Sequence, residues 1–338
     1  MKHRFLFALA LAVLAPAAKA QDVAAFYKGK TINLIISTSP GGDYDVRARL
    51  VGRHIGRHIP GSPTVLPQNM PGSGGIRAAN YLYNGAARDG TAMLAVMQQI
   101  PLTQVFKLSG VEFDLARGHY IGNTSSSPIV VASWHTSPVK TVEQSIASEL
   151  IIGASGAGSA STQIPAMLNA TIGTKFKVIA GYPGGTEIYL AMERGEVAGR
   201  GTQSLAGWKA QKADWIADRK LNWLAQGGFT RHPELPDVPL LIDYAKTPED
   251  RQIVELFMSP DEISRPFLAG PGVPEDRVAA LRRAFDAVMK DEAFMAEAKA
   301  MKIEINPMTG EQAESIVQKL LNLPPTVVAK AKAFSAEE

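Results

Sequence analysis

The chain has 338 residues, no Cys and a formal net charge of +3. Without Cys it can form no disulfide, thiolate metal site or thiol nucleophile, and its length allows two domains of roughly 100–200 residues each. Lys2, Arg4 and Lys19 account for the whole excess of charge, so residues 21–338 are neutral and lack the clustered basic surplus of a nucleic-acid binder.

Lys2, His3 and Arg4 precede an unbroken apolar run from Phe5 to Ala15, which Pro16 ends. Ala18-Lys19-Ala20 then places small residues where a signal peptidase reads. The run is shorter than the about 20 residues a membrane span needs. A secretory signal cleaved after Ala20 is therefore expected. With no Cys available for lipid attachment, the product would be free in the periplasm.

Beyond the signal, short apolar strands alternate with amphipathic helices. Ile32 to Ser37 predicts a strand, and Val46, Leu50, Val51, Ile55 and Ile59 line one face of a helix. Arg49, Arg53 and Arg57 form a basic stripe on that helix, expected to be solvated. Val65 to Gln68 and Thr91 to Met97 predict strands flanking a helix near Ile76 to Ala86. This order implies a mainly parallel sheet covered by helices. A second set follows Ser125-Ser126-Ser127-Pro128. Its strands are Ile129 to Trp134, Leu150 to Ala154, Lys175 to Ala180, Val197 to Gly201 and Leu221 to Ala225. Thr141 and Gln144 have capping-box spacing, as do Thr309 and Gln312. Pro274, Glu275 and Asp276 open a helix whose buried face is Val278, Leu281, Phe285 and Val288.

Glycine loops that open helices recur along the chain. They are Ser39-Pro40-Gly41-Gly42-Asp43-Tyr44-Asp45, Ser155-Gly156-Ala157-Gly158-Ser159-Ala160-Ser161 and Tyr182-Pro183-Gly184-Gly185-Thr186-Glu187. A fourth, Pro71-Gly72-Ser73-Gly74-Gly75, precedes the Ile76 helix. The first N–H groups of a helix have no intrahelical partner, and the macrodipole favours an anion there. Glycine lets the backbone come close to a ligand. In a parallel sheet such loops lie at the carboxyl ends of the strands, where open α/β sheets bind ligands. Each helix terminus contributes roughly 0.3–1 kcal/mol, so direct hydrogen bonds must supply most of a micromolar affinity of about 8 kcal/mol.

Other chemistries fit poorly. No glycine loop ends in Gly-Lys-Ser or Gly-Lys-Thr, which excludes a P-loop. His54 and His58 lack the Glu of a zinc-protease helix, so no metal site is expected. Gly153-Ala154-Ser155-Gly156-Ala157 approximates a nucleophile elbow. With Asp214 or Asp218 and His232 it supplies the alternative reading, an esterase-like hydrolase using Ser155.

In order and spacing these loops resemble the tripartite tricarboxylate transporter receptors, also called Bug-type binding proteins. The resemblance extends through Tyr27-Lys28-Gly29-Lys30, Gln68-Asn69-Met70-Pro71, Asp89-Gly90-Thr91, Arg265-Pro266-Phe267 and Pro271-Gly272-Val273-Pro274. It implies an α/β, two-lobed type II periplasmic-binding-protein (Venus-flytrap) fold with a ligand cleft between lobes. The expected boundaries are lobe 1 over 21–126, lobe 2 over 127–228, and a helical return to lobe 1 over 229–338.

The resemblance implies a non-enzymatic receptor for a small di- or tricarboxylate or aromatic acid, working with the membrane permease subunits of the transporter. A monomer without cofactor is expected. A receptor reporting to a membrane kinase would use the same fold. The ligand-binding residues carried over are Pro40, Gly41, Gly42, Tyr44, Asp45, Ser73 and Gly74. In the second lobe they are Ser155, Gly158, Ser159, Ser161, Tyr182, Gly184, Gly185 and Thr186. Gln98, Thr202 and Gln203 are weaker candidates, Thr202 and Gln203 standing where many relatives have Asp-Asn. Arg200 departs from the common pattern and would pair with a ligand carboxylate. Asp43, also a departure, is expected to face solvent or cap its helix.

Overall fold

The computed structural model describes residues 23–38, 40–41, 43–154, 160–182 and 185–334. The signal segment, Gly42, Ser155, Gly158, Ser159, Gly184 and the side chains of Asp43 and Thr186 lie outside the described residues. Strands are numbered along the chain: β1 Thr31–Ile36, β2 Thr64–Asn69, β3 Ala92–Ala95, β4 His119–Asn123, β5 Ile129–Trp134, β6 Leu150–Gly153, β7 Phe176–Ile179, β8 Gly199–Ser204, β9 Leu221–Gln226, β10 Pro266–Ala269 and β11 Met308–Thr309.

The chain divides into two compact units. The first comprises Met1–Ile100, Ser109–Thr124 and Arg265–Ser315, and the second Pro101–Leu108, Ser125–Ser264 and Ile316–Glu338. In the first unit the sheet order is β2-β1-β3-β10-β4-β11, and in the second β7-β6-β8-β5-β9. The two orders coincide over five strands. In each, the second parallel strand flanks the first on the outside, the third flanks it on the inside, and an antiparallel strand separates the third from the last.

Both sheets are mixed rather than purely parallel. The antiparallel members β5 and β10 are the strands the chain forms just after it enters each unit. Each therefore starts where its neighbours end: Pro266 of β10 pairs with Asn123, the last residue of β4, and Ile129 of β5 pairs with Ser204, the last of β8. Local apolar patterning carries no information about strand direction, so the sequence could not show this.

The glycine loops open helices as expected, with helices Asp43–Ile55, Ile76–Asn84, Ala160–Thr171 and Gly185–Glu193 following them. Both capping boxes form. Thr141 accepts the Gln144 N–H and Thr309 that of Gln312, while the two Gln side chains accept backbone N–H groups in return.

The core of the first unit packs Ile32, Leu34 and Ile36 of β1 against Leu50, Val51 and Ile55 on one helix and Leu281 and Phe285 on another. The second unit has an aromatic cluster of Tyr189, Trp208 and Trp215 beside a larger aliphatic core. That aliphatic core changes the expected boundaries. Helix Pro248–Glu262 packs on helix Ala160–Thr171 and on helix Pro325–Lys332. Ile253, Val254, Leu256, Phe257 and Met258 are buried in the second unit's core, together with Leu320 and Val327. Residues 229–264 and 316–334 thus cluster with the second unit, not the first, because their apolar faces are covered there.

Candidate functional site

In the first unit the candidates gather at the carboxyl ends of β1 and β3. Asp45 lies in the first turn of helix Asp43–Ile55 and is buried, 3% exposed. Its carboxylate accepts the N–H of Gly41 at 2.9 Å, Asn69 Nδ2 at 2.8 Å and Arg49 Nε at 2.9 Å. Asn69 also donates to the Thr38 carbonyl at 2.9 Å. Burial pushes the Asp45 carboxyl up, but the donors from Gly41, Asn69 and Arg49 outweigh burial and hold it below its usual range. These contacts make Asp45 the residue that shapes the first loop. Three of its acceptor positions are taken by Gly41, Asn69 and Arg49. Arg49 belongs to the same lock, which removes it from the solvated stripe.

Tyr44 and Gln98 meet in the structure. The Tyr44 hydroxyl accepts the Gln98 N–H at 3.2 Å and lies 3.3 Å from Gln98 Oε1. A residue not singled out from sequence joins them. Arg265 precedes β10, and because β10 is antiparallel to β3 its start lies beside the end of β3. The Arg265 guanidinium sits 4.2 Å from the Tyr44 ring centroid and donates to Gln98 Oε1 at 3.1 Å. Its backbone N–H donates to Asn123 Oδ1 at 2.7 Å, which ties β10 to β4. Tyr44, Arg47, Ala48, Ala95, Arg265, Pro266 and Phe267 line a recess of about 10 Å³, the room of roughly one water.

At the same edge the buried hydroxyls of Ser37, Thr38 and Thr124 have no hydrogen-bond partner among the described residues. Buried polar groups are nearly always paired, so such a set marks a place where donors are held for something else. Ser73, Gly74 and Gly75 have consecutive positive φ values of 46°, 60° and 96°. Ser73 and Gly74 are exposed, and Gly75 turns the chain into helix Ile76–Asn84, where an added Cβ would lie 3.4 Å from the Ser37 side chain. Pro40 and Gly41 are exposed in the first loop.

In the second unit, Arg200 stands in β8, paired with Gly153 at the end of parallel β6. It is 9% exposed. Its Nε donates to the Thr202 carbonyl at 3.1 Å, its Cζ lies 5.1 Å from the Tyr189 ring centroid, and Nη1 has no hydrogen-bond partner. Burial pushes its pKa down from the ordinary guanidinium value. Thr202 and Gln203 belong to β8, which runs on to Ser204 rather than ending at Gly201. Thr202 is buried, and Gln203 Nε2 donates to the Tyr189 hydroxyl at 3.1 Å. Ser161 is buried in the first turn of helix Ala160–Thr171. Tyr182 is half-buried, and its N–H donates to the Ala154 carbonyl at 3.2 Å.

Two residues of the hydrolase alternative, His232 and Asp218, are otherwise engaged. His232 Nδ1 accepts the Glu234 N–H at 3.2 Å, and Asp218 pairs with Lys220 at 2.9 Å. No described helix is long and apolar enough to cross a membrane.

The model of the tripartite tricarboxylate transporter family receptor, TctC, matches residues 49–331. No curated protein matches the chain in sequence. Among solved structures, a TctC solute-binding protein from Polaromonas, without ligand, is 20% identical with a TM-score of 0.70, covering 91% of this chain and 98% of that one. The periplasmic binding protein BugD is 18% identical with a TM-score of 0.58, covering 92% and 99%. MatC from Rhodopseudomonas palustris, solved with bound malate, is 17% identical with a TM-score of 0.56, covering 91% and 99%. Likenesses at this identity establish the fold, that of the two-lobed periplasmic binding proteins.

Proposed function

The chain belongs to the tripartite tricarboxylate transporter receptor family, and from that premise we propose that it is a periplasmic receptor that captures a small carboxylate for a membrane permease. The observation that carries the reading is the set of buried, unpartnered Ser37, Thr38 and Thr124 hydroxyls at the carboxyl edge of the first sheet. A carboxylate is acceptor-only and would satisfy such donors without adding a competing one.

The receptor performs no chemistry on its ligand. Backbone groups of the Pro40–Gly42 and Ser73–Gly74 loops, with Tyr44 and Gln98, serve the first unit. Ser155, Gly158, Ser159 and Ser161 serve the second, with Tyr182, Gly184, Gly185, Thr186 and Arg200. Arg265 gives the first unit a cation, and Asp45 holds the loop from which the first contacts are made. The bound malate of MatC and the adipate of an R. palustris protein supply the nearest chemical precedents.

Deleting the gene in its host tests the reading by uptake of radiolabelled malate and adipate and of a panel of aromatic acids. Loss of uptake of at least one carboxylate, restored by the intact gene and not by a form lacking residues 1–20, is expected. Unchanged uptake of every carboxylate in the panel would contradict a transport role.

A further inference from the structure

Arg200 brings a permanent charge into the second unit without an acid to meet it. It is 9% exposed, and Nη1 has no hydrogen-bond partner among the described residues. Of the acids on the adjoining helix, Glu193 is paired with Lys212 at 3.3 Å, and Glu187 in the first turn makes no salt bridge to Arg200 among the described residues. A buried unpaired guanidinium is costly, and that cost is ordinarily offset by an acid or an array of acceptors.

The guanidinium is held on three sides. Nε donates to the Thr202 carbonyl, and the Tyr189 ring lies 5.1 Å from Cζ. The ring is itself fixed, because its hydroxyl accepts from Gln203 Nε2 at 3.1 Å and donates to Gln211 Oε1 at 3.0 Å. What remains faces Gly185, the first residue of the nine-residue helix Gly185–Glu193. A Cβ on Gly185 would come within 2.8 Å of Nη1 and 3.3 Å of Nη2. Gly185 is not among the glycines with positive φ, so no turn requires a glycine there. The guanidinium does, because it packs against the Gly185 backbone where any side chain would collide with it. The helix terminus adds partial positive charge at the same point.

We infer that Arg200, Gly185 and Tyr189 form a dedicated subsite for one carboxylate group of the ligand. Arg200 supplies the donor fork, Gly185 lets the fork lie against the first turn of the helix, and Tyr189 is a positioning residue that aims the fork. The inference rests on the receptor reading and assigns that site its fixed cation. A planar fork can meet both carboxylate oxygens, which a lysine ammonium cannot reproduce.

The test is calorimetric titration of the purified protein with malate, adipate and benzoate, followed by variants measured with the tightest-binding probe. Arg200→Met is expected to weaken that probe by roughly 30-fold or more, and Arg200→Lys to restore little of the loss. Tyr189→Leu is expected to weaken it about tenfold, whereas Tyr189→Phe keeps the ring and stays within about threefold. In the Arg200→Met background, Tyr189→Leu should have no further effect, because the tyrosine acts through the guanidinium. The melting temperature without ligand should not fall in Arg200→Met, which sheds an unpaired buried charge. An unchanged dissociation constant in Arg200→Met overturns the subsite while leaving the receptor reading standing. If none of the three probes nor any other carboxylate binds the parent chain, the receptor reading fails and the subsite with it.

Discussion

The carboxylate of Asp45 accepts the backbone N–H of Gly41 at 2.9 Å, so an acid in a helix's first turn sets the path of the glycine loop that precedes it. Asn69 and Arg49 complete the lock. Replacing Asp45 by Ala leaves three donors without their acceptor. Hydrogen bonds to charged groups contribute about 1.5–3 kcal/mol each, and partial re-solvation reduces the sum, so a loss of roughly 3 kcal/mol of stability is expected. Chemical denaturation measures this, and calorimetry should show a parallel loss of carboxylate affinity. A stable variant with parental affinity would show that the loop holds its path unaided.

Arg265 stacks on Tyr44 and donates to Gln98, joining residues 167 positions apart. Arg265→Ala keeps the backbone bond to Asn123 but removes the stack and the side-chain donor. A cation–π contact contributes about 0.5–2 kcal/mol, so losing the alignment it maintains should lower affinity for the bound carboxylate roughly two- to thirtyfold. Stability should change little. Affinity unchanged in Arg265→Ala would place this arginine outside the binding machinery.

Asp45, Asp89, Glu143, Asp291 and Glu297 are held below their usual range. Burial opposes the shift at Asp45, where donors from Gly41, Asn69 and Arg49 prevail. Asp291 is held down by Arg57, the Phe294 N–H and His58, and Glu297 by His54 and Arg53. A carboxyl lowered on folding adds stability that is complete above its unfolded value of about 4 and is lost as pH falls through the lower folded value. The stability difference between the parent and Asp291→Asn should therefore be full at pH 6 and shrink toward pH 2. Asn still caps helix Glu292–Ala300, so the comparison isolates the charge. A difference that is the same at both pH values would contradict the assignment.

Gly201 allows helix Ala160–Thr171 to close on β8. A Cβ there would overlap the Pro165 ring and approach Ile152 Cδ1 to 2.7 Å. Pro165 is rigid and buried within the helix. Gly201→Ala should destabilise the protein by roughly 1–3 kcal/mol by overpacking. A denaturation midpoint equal to the parent's would mean that the helix can shift at no cost.

Strands β1, β2, β6 and β7 were legible because each is a short run ending in a glycine loop, whereas β4, a parallel member, was not. The antiparallel strand Ile129–Trp134 was legible as an apolar run with the same bounds. β10 was not legible as a strand. It has four residues, begins with Pro266 and lies alone between two helices. The unit to which helix Pro248–Glu262 belongs depends on what covers Leu256 and Phe257, a long-range fact that periodicity cannot supply. The loop positions of the site followed from local glycine chemistry. Arg265 did not, although its tripeptide had been noticed, because its partners Tyr44 and Gln98 are distant in sequence. The donors that Gly41, Asn69 and Arg49 bring to Asp45 are visible only in three dimensions.

The most direct test of the central claim is calorimetric titration of the purified protein with carboxylates, each paired with its neutral amide. The account predicts saturable 1:1 binding of at least one carboxylate and none of the corresponding amide, with ligand at about 100 times its dissociation constant adding roughly 2.7 kcal/mol of stability. Equal binding of acid and amide, or no binding of any carboxylate, would contradict it.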